Sequence, residues 1–349
     1  MKKIKLQFIP GLQLSEIFYF QEVRPLLHTH FSKLTYSAGL VGEGSEVLGY
    51  DDEMSADHCW GPRIMLFLSE HDYKKKHEEI RNILLAELPE YFKGYMVRFD
   101  CPVKTTVDLF TSKSFFQEYI GFDGEKEMRQ KDWLRISSQK LLEVVSGNFF
   151  HDGLNVEKAR KQFSYYPKDV WLYILSCQWT KIAQEQAFLG RTGMVGDDVG
   201  SQLVCARMVR ELMKLCFLLE RKYIPYTKWF GTAFAHLTSS KKLTPIFKKA
   251  MTAKTWKERE MYLSRAYQII GQMHNALRTT QLVSEKVHQY FNRPFIVIDA
   301  DGFAHVSRKA IRSKEIKSIK TNAGALDQFV DSTDILSYPE MFERFDIWK

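Results

Sequence analysis

From residue 42 to 53 the chain reads Gly42-Glu43-Gly44-Ser45-Glu46-Val47-Leu48-Gly49-Tyr50-Asp51-Asp52-Glu53. It continues Met54-Ser55-Ala56-Asp57-His58-Cys59-Trp60-Gly61-Pro62-Arg63. A strand that ends in Gly44-Ser45 can turn backbone N–H groups toward an anion, because glycine has no Cβ and serine adds a hydroxyl donor. Asp57 and Cys59 are two apart, so on a strand they point to one face, where Asp108 of a later strand could join them. Carboxylates gathered beside a phosphate-cradling turn are what phosphoryl or nucleotidyl transfer needs. Hard Mg²⁺ takes oxygen ligands, holds the phosphates of a nucleoside triphosphate and stabilises charge on the attacking and leaving oxygens. Cys59 stands where a second carboxylate is expected, and a soft thiol is a poor magnesium ligand. Glu46, Asp51 or Asp52 could complete the set instead. Arg63 is a further candidate for contact with the nucleotide, and His58, on the opposite strand face, is read as a structural hydrogen-bonder.

These residues need elements to hold them. A helix is expected from near Ser15, with Ile17, Phe18, Val23, Leu26 and Leu27 as its apolar stripe and Pro25 kinking or restarting it. Strands are expected at Leu34 to Val41, Arg63 to Leu68, Tyr95 to Phe99 and Thr105 to Phe110, with a helix over His71 to Phe92. Beyond about residue 125 the pattern turns helical. Val170 to Leu189 follows Pro167 and stops at Gly190. Val199, Leu203, Val209, Leu212, Met213, Cys216 and Leu219 then form a stripe assigned to packing. Residues 294–307 read as a small β-hairpin turning over Asp301-Gly302. The fold class is therefore α+β: a mixed-sheet domain over residues 1–124 and a mainly helical domain over 125–349 carrying that hairpin.

Composition narrows the class. The chain has 349 residues, 45% hydrophobic and 26% charged, near globular averages and unlike a disordered or fibrous chain. No run of about 18 apolar residues occurs, so a membrane span is not expected, nor is a secretory leader. Five scattered cysteines without a CxxC pair suit free thiols in a cytoplasmic setting. Net charge is +8, which favours anionic partners. The densest basic stretch runs from Arg308 to Lys320. It lacks interleaved aromatics, so nucleic acid is a weak expectation.

Several stretches together resemble a known group. Gly44-Ser45 with the downstream Asp57 and a later strand carboxylate resembles the nucleotidyltransferase superfamily, which includes DNA polymerase β and the aminoglycoside nucleotidyltransferases. More narrowly, four stretches are similar to a bacterial domain-of-unknown-function family with a helical C-terminal domain. They are Gly44 to Gly49, Asp57-His58-x-Trp60-Gly61-Pro62-Arg63, Ala183-Gln184-Glu185-x-Ala187-Phe188-x-Gly190-Arg191, and Leu215 to Arg221 through Tyr226-x-Lys228-Trp229. The resemblance implies a nucleotidyltransferase-like first domain, with Gly44 and Ser45 cradling phosphate and Asp57, Asp108 and position 59 as Mg²⁺ ligands. It further implies a general base from the helical domain, Glu185 or Asp198, and Lys228 beside Trp229 is a candidate nucleotide contact. The expected activity moves a nucleoside monophosphate from a nucleoside triphosphate to a hydroxyl on a small molecule, an RNA end or a protein. The alternative is a catalytically degenerate nucleotide sensor or partner-binding module, motivated by Cys59.

Overall fold

The structure is a computed structural model that describes residues 8–57, 60–100, 103–124, 126–342 and 347–348. By internal packing it divides into two units. The first comprises residues 1–127 and 140–164, and the second residues 128–139 and 165–349.

In the first unit, α1 (Gly11–Phe18) and α2 (Arg24–His30) are joined by a π-helical turn at Tyr19–Val23, so the helical backbone runs on without a break, and Pro25 falls just after this turn, near the start of α2. Strand β1 (Tyr36–Val41) runs antiparallel to β2 (Ile64–Leu68), with Gly39 opposite Met65. Then come α3 (Glu70–Glu87), started by Ser69 accepting from the Asp72 amide, and two short hairpins. The hairpins are β3 (Tyr91–Phe92) with β4 (Tyr95–Met96), and β5 (Arg98–Asp100) with β6 (Val103–Thr105). Strand β7 (Val107–Thr111) lies parallel to β2, its Asp108 beside Met65, and leads into α4 (Ser112–Ile120) through a Thr111–Ser114 capping box. After α5 (Ser138–Val145), β8 (Gly147–Asp152) pairs with β1 and α6 (Val156–Lys161) follows. The sheet order is β7-β2-β1-β8, so residues that patterning placed in the helical half supply its outer strand.

All five residues of β2 are buried, because both sheet faces are covered. On one face Leu14, Phe18, Val23, Leu27, Ile80 and Leu84 pack against Ile64, Leu66, Leu68 and Val107. On the other, Phe67 meets Phe110, Phe115 and Phe149 at ring separations of 6.0, 5.3 and 5.4 Å. A strand buried on both sides reads as a continuous apolar run, as seen over residues 64–68.

The second unit is mainly helical. Its main helices are α7 (Lys168–Glu185), α8 (Phe188–Met194), α9 (Asp198–Leu219), α10 (Thr227–Ala235), α11 (Ser240–Thr252) and α12 (Trp256–Ala276). Helix α7 is buried nearly all round, from Val170 to Trp179. It ends at Glu185 rather than Leu189, and α8 restarts three residues on. In α9 the expected packing stripe holds from Val209 onward, whereas Val199 and Leu203 are exposed.

The expected hairpin at 294–307 is corrected. The hairpin of this unit joins β9 (His288–Gln289) to β10 (Ile296–Val297), and Asp301-Gly302 lie in the first turn of α13 (Ala300–Lys309). The Asp299 side chain accepts from the Gly302 amide at 2.9 Å and so starts a helix where Asp-Gly suggested a turn. Shorter helices α14 (Lys314–Lys317), α15 (Thr333–Ser337) and α16 (Pro339–Phe342) complete the unit. No helix among the described residues is long and apolar enough to cross a membrane.

Candidate functional site

The segment after β1 folds as a tight turn. Tyr50 donates its amide to the Ser45 carbonyl at 2.8 Å and Leu48 donates to Gly44 at 3.3 Å. Gly42 and Gly44 adopt φ of +86° and +134°. A Cβ on Gly42 would sit 2.4 Å from the Tyr119 Oη, and one on Gly44 would sit 2.5 Å from Arg63 Nη2 and 2.6 Å from Glu46 Oε2. Both positions therefore exclude a side chain on conformation and on space. The half-exposed Ser45 hydroxyl and the amides of Gly44 and Ser45 have no hydrogen-bond acceptor among the described residues.

Arg63 fastens this turn to the approach of β2. Its Nε and Nη2 both reach Glu46 Oε1, at 3.0 and 2.5 Å, and Nη2 also donates to the Glu43 carbonyl at 2.7 Å. The Glu46 side chain is fully buried, and its Oε2 has no hydrogen-bond partner among the described residues. Burial pushes the Glu46 carboxyl upward despite Arg63. A second fastening is Asp51, whose Oδ2 accepts from the Gly11 amide at the start of α1 (2.7 Å) and from Trp60 Nε1 (2.9 Å). The Arg63 amide donates to Ser15 Oγ at 3.1 Å. Arg63 and Asp51 thus act on the loop's shape, and Asp51 is a helix N-terminal partner rather than an open carboxylate.

Asp57 closes a 3₁₀ turn, Ser55–Asp57, built on an Asp52 side chain that accepts from the amides of Met54 and Ser55 at 3.0 and 2.8 Å. The strand starts at Ile64, after Gly61-Pro62, so Asp57 lies in a turn ahead of it rather than on the strand. His58 and Cys59 lie outside the described residues.

Asp108 alternates with Val107 and Leu109, which face the α1–α3 core, and so looks to the α4 side of the sheet. Its carboxylate reaches solvent, yet the surrounding protein strips enough water to raise its pKa. Arg63 and Lys104 oppose that rise and Glu43 reinforces it. Glu118 of α4 is raised in the same way, by burial first and then by Asp108 and Glu43, with Lys140 opposing. Tyr119, the next residue, accepts the Glu43 amide at 3.4 Å, and the Lys140 ammonium stands 5.1 Å from its ring centre. Lys140 in turn pairs with Glu143 at 2.8 Å.

One sheet end thus gathers Gly44, Ser45, Arg63 and Asp108. Sequence reasoning missed Glu43, Glu118, Tyr119 and Lys140. Glu43 sat inside the quoted motif. Glu118 was recoverable as a charged position on an amphipathic helix whose Phe115, Phe116, Tyr119 and Ile120 are buried. Among the described residues no three His, Cys, Asp or Glu side chains close on a common metal position.

The remaining candidates belong to the second unit. Glu185 is held in a two-pronged pair by Arg207 at 2.5 and 2.8 Å. Asp198 pairs with the buried Arg259 at 2.7 Å. Lys228 is exposed, its ammonium 4.9 Å from the Trp229 ring centre. Arg308, from the basic stretch, lies 4.8 Å over the Tyr173 ring and donates to the Ile319 carbonyl.

Residues 133–230 match the model of a domain of unknown function (DUF4037). No curated protein and no solved structure matches the chain. The matched segment begins after the glycine-serine turn and after Asp108; it takes in Lys140 of the rim, β8 and part of the helical unit, but not Gly44, Ser45, Arg63 or Asp108.

Proposed function

We propose that the turn after β1 receives the phosphates of a nucleoside triphosphate, and that the chain is nucleotidyltransferase-like, moving a nucleoside monophosphate onto a hydroxyl acceptor. One observation carries this reading. Donors without an acceptor among the described residues, the Ser45 hydroxyl and the Gly44 and Ser45 amides, stand at the same sheet end as the solvent-reaching carboxylate of Asp108. The antiparallel β1–β2 pair with a parallel third strand adds support, because it delivers turn and carboxylate from three adjacent strands.

Carboxylate oxygens are the donors a hard cation takes, and in this reading Asp108 with Asp57 would hold Mg²⁺, which would supply charge neutralisation on the phosphates. The chain's own contribution is positional. Arg63 and Glu46 fix the turn, Gly44 lets backbone approach phosphate, and Ser45 donates to it. In the transfer, the acceptor oxygen bonds to the α-phosphorus, the bond to the β-phosphate oxygen breaks, pyrophosphate leaves and the acceptor proton passes to a carboxylate or water. The acceptor class spans small molecules, RNA ends and proteins.

The thiol at Cys59 favours a second reading, a nucleotide sensor without turnover. The deciding measurement is magnesium-dependent pyrophosphate release from each of the four nucleoside triphosphates, alone and with cell extract, alongside calorimetric titration. Turnover abolished by Asp108→Asn supports transfer. Affinity without turnover supports the sensor, and neither affinity nor turnover in a folded chain removes both.

A further inference from the structure

The second unit holds a recess lined by Arg210 and Lys214 of α9 and walled by Ile224, Tyr226, Phe230 and Leu336. Arg210 and Lys214 are four apart and share a helix face. The Lys214 side chain is about nine-tenths buried, with 9% exposure, yet among the described residues its ammonium makes one hydrogen bond, to the Asp327 carbonyl at 3.2 Å. The nearest carboxylate oxygen, Glu211 Oε1, is 3.9 Å away. The other Glu211 oxygen is taken by Lys181 at 3.1 Å and Gln178 at 2.8 Å. Asp327 directs a carboxylate oxygen to the Ser138 amide at 2.8 Å rather than to Lys214. An ammonium carries three donors, so a buried one using a single hydrogen bond is under-satisfied.

Beside it, the Arg210 fork grips Asp331 at 2.6 and 3.2 Å, and the Asp331 side chain is 71% exposed. Exposed pairs contribute little, so Asp331 can leave at small cost. Lys181, Arg210 and Lys214 are matched in number by Glu211, Asp327 and Asp331. An incoming group that takes the place of the Asp331 carboxylate must therefore bring one negative charge, in the planar form a guanidinium recognises. Beyond the two cations, the apolar side chains of Ile224, Phe230 and Leu336 share the walls with the hydroxyl-bearing Thr227, Thr333 and Ser337, and the three apolar ones offer a patch for a small hydrocarbon or aromatic body.

We propose that this recess binds a small organic monocarboxylate, its carboxylate held by Arg210 and Lys214 in place of Asp331 and its apolar body against Ile224, Phe230 and Leu336. The site lies wholly in the second unit and stands apart from the nucleotide reading.

The test uses the full chain and two probes of equal shape, 3-phenylpropionate and neutral 3-phenylpropan-1-ol, titrated by calorimetry or NMR. Saturable binding of the acid alone is expected. Arg210→Gln should weaken it about tenfold, and Asp331→Asn should tighten it by removing the competing carboxylate. Both variants alter exposed or half-exposed side chains, and a melting curve confirms that each is folded. Equal binding of acid and alcohol would overturn the proposal. So would no saturation by either the unaltered chain or Asp331→Asn, an affinity indifferent to Arg210→Gln, or no tightening in Asp331→Asn.

Discussion

Arg63 places two of its nitrogens on a single oxygen of Glu46, leaving the other carboxylate oxygen buried and without a hydrogen-bond partner among the described residues. The pair therefore holds the glycine-serine turn while leaving an acceptor unused beneath it. Removing one member of a buried pair strands a charge, whereas removing both need not. Arg63→Met should cost about 3 to 5 kcal/mol, and the double variant Arg63→Met with Glu46→Met distinctly less. Chemical denaturation of both single variants and the double tests this; additive losses would show that the two residues act independently.

Gly44 and Gly49 both have positive φ but differ in their surroundings. Space around Gly49 is open to 4 Å, while a Cβ on Gly44 meets Arg63 and Glu46. Gly49→Ala should then cost only the backbone penalty, about 1 to 2 kcal/mol. Gly44→Ala should cost more and also reduce nucleotide affinity, read by thermal shift with and without ATP. Equal losses at the two positions would contradict the crowding described here.

Asp108 and Glu118 lie within each other's field, and Asp108 helps to hold the Glu118 pKa up. Asp108→Asn should move the Glu118 titration downward, which carboxylate-resolved NMR would follow. An unmoved Glu118 would separate α4 from the site. Magnesium bound at this rim should depress the same titration in the unaltered chain.

His274 is buried, accepts the Trp179 indole N–H on Nδ1 at 3.0 Å and meets Thr280 Oγ1 through Nε2 at 3.0 Å. Burial lowers its pKa to about 4 from 6.5, so the folded chain keeps it neutral. Its share of stability is complete above pH 6.5 and falls away as pH drops toward 4, by about 3 kcal/mol in all. Asp327 runs the other way. Burial raises it to about 6, so it favours the folded state below its ordinary value and loses that favour as pH climbs through 6. The two trends offset each other between pH 4 and 6. Asp327→Asn should therefore unmask a steeper acid loss, which His274→Gln in the same background should flatten; thermal melts across that range measure both.

Legibility in the sequence followed how many structures a pattern admits. The run Ile64 to Leu68 admits a buried strand, and it is one. Asp301-Gly302 suits a hairpin turn and a first helical turn equally, and the decision rests with Asp299, two residues upstream. Gly147 to Asp152 carries no alternation clear enough to mark β8; its pairing with β1 is a long-range fact. At the site, Gly44, Ser45 and Asp108 could be named from residue type, but the grip of Arg63 on Glu46 depends on a side-chain direction that spacing does not encode.

Strand β8 has a practical corollary for anyone dissecting the molecule. A recombinant piece ending at residue 127 would leave one flank of β1 with bare amides and carbonyls, a template on which copies could stack into insoluble ribbons. Splicing residues 140–164 directly onto that piece restores the missing flank, and the difference in solubility between the two versions would report how far the outer strand guards the sheet against self-association.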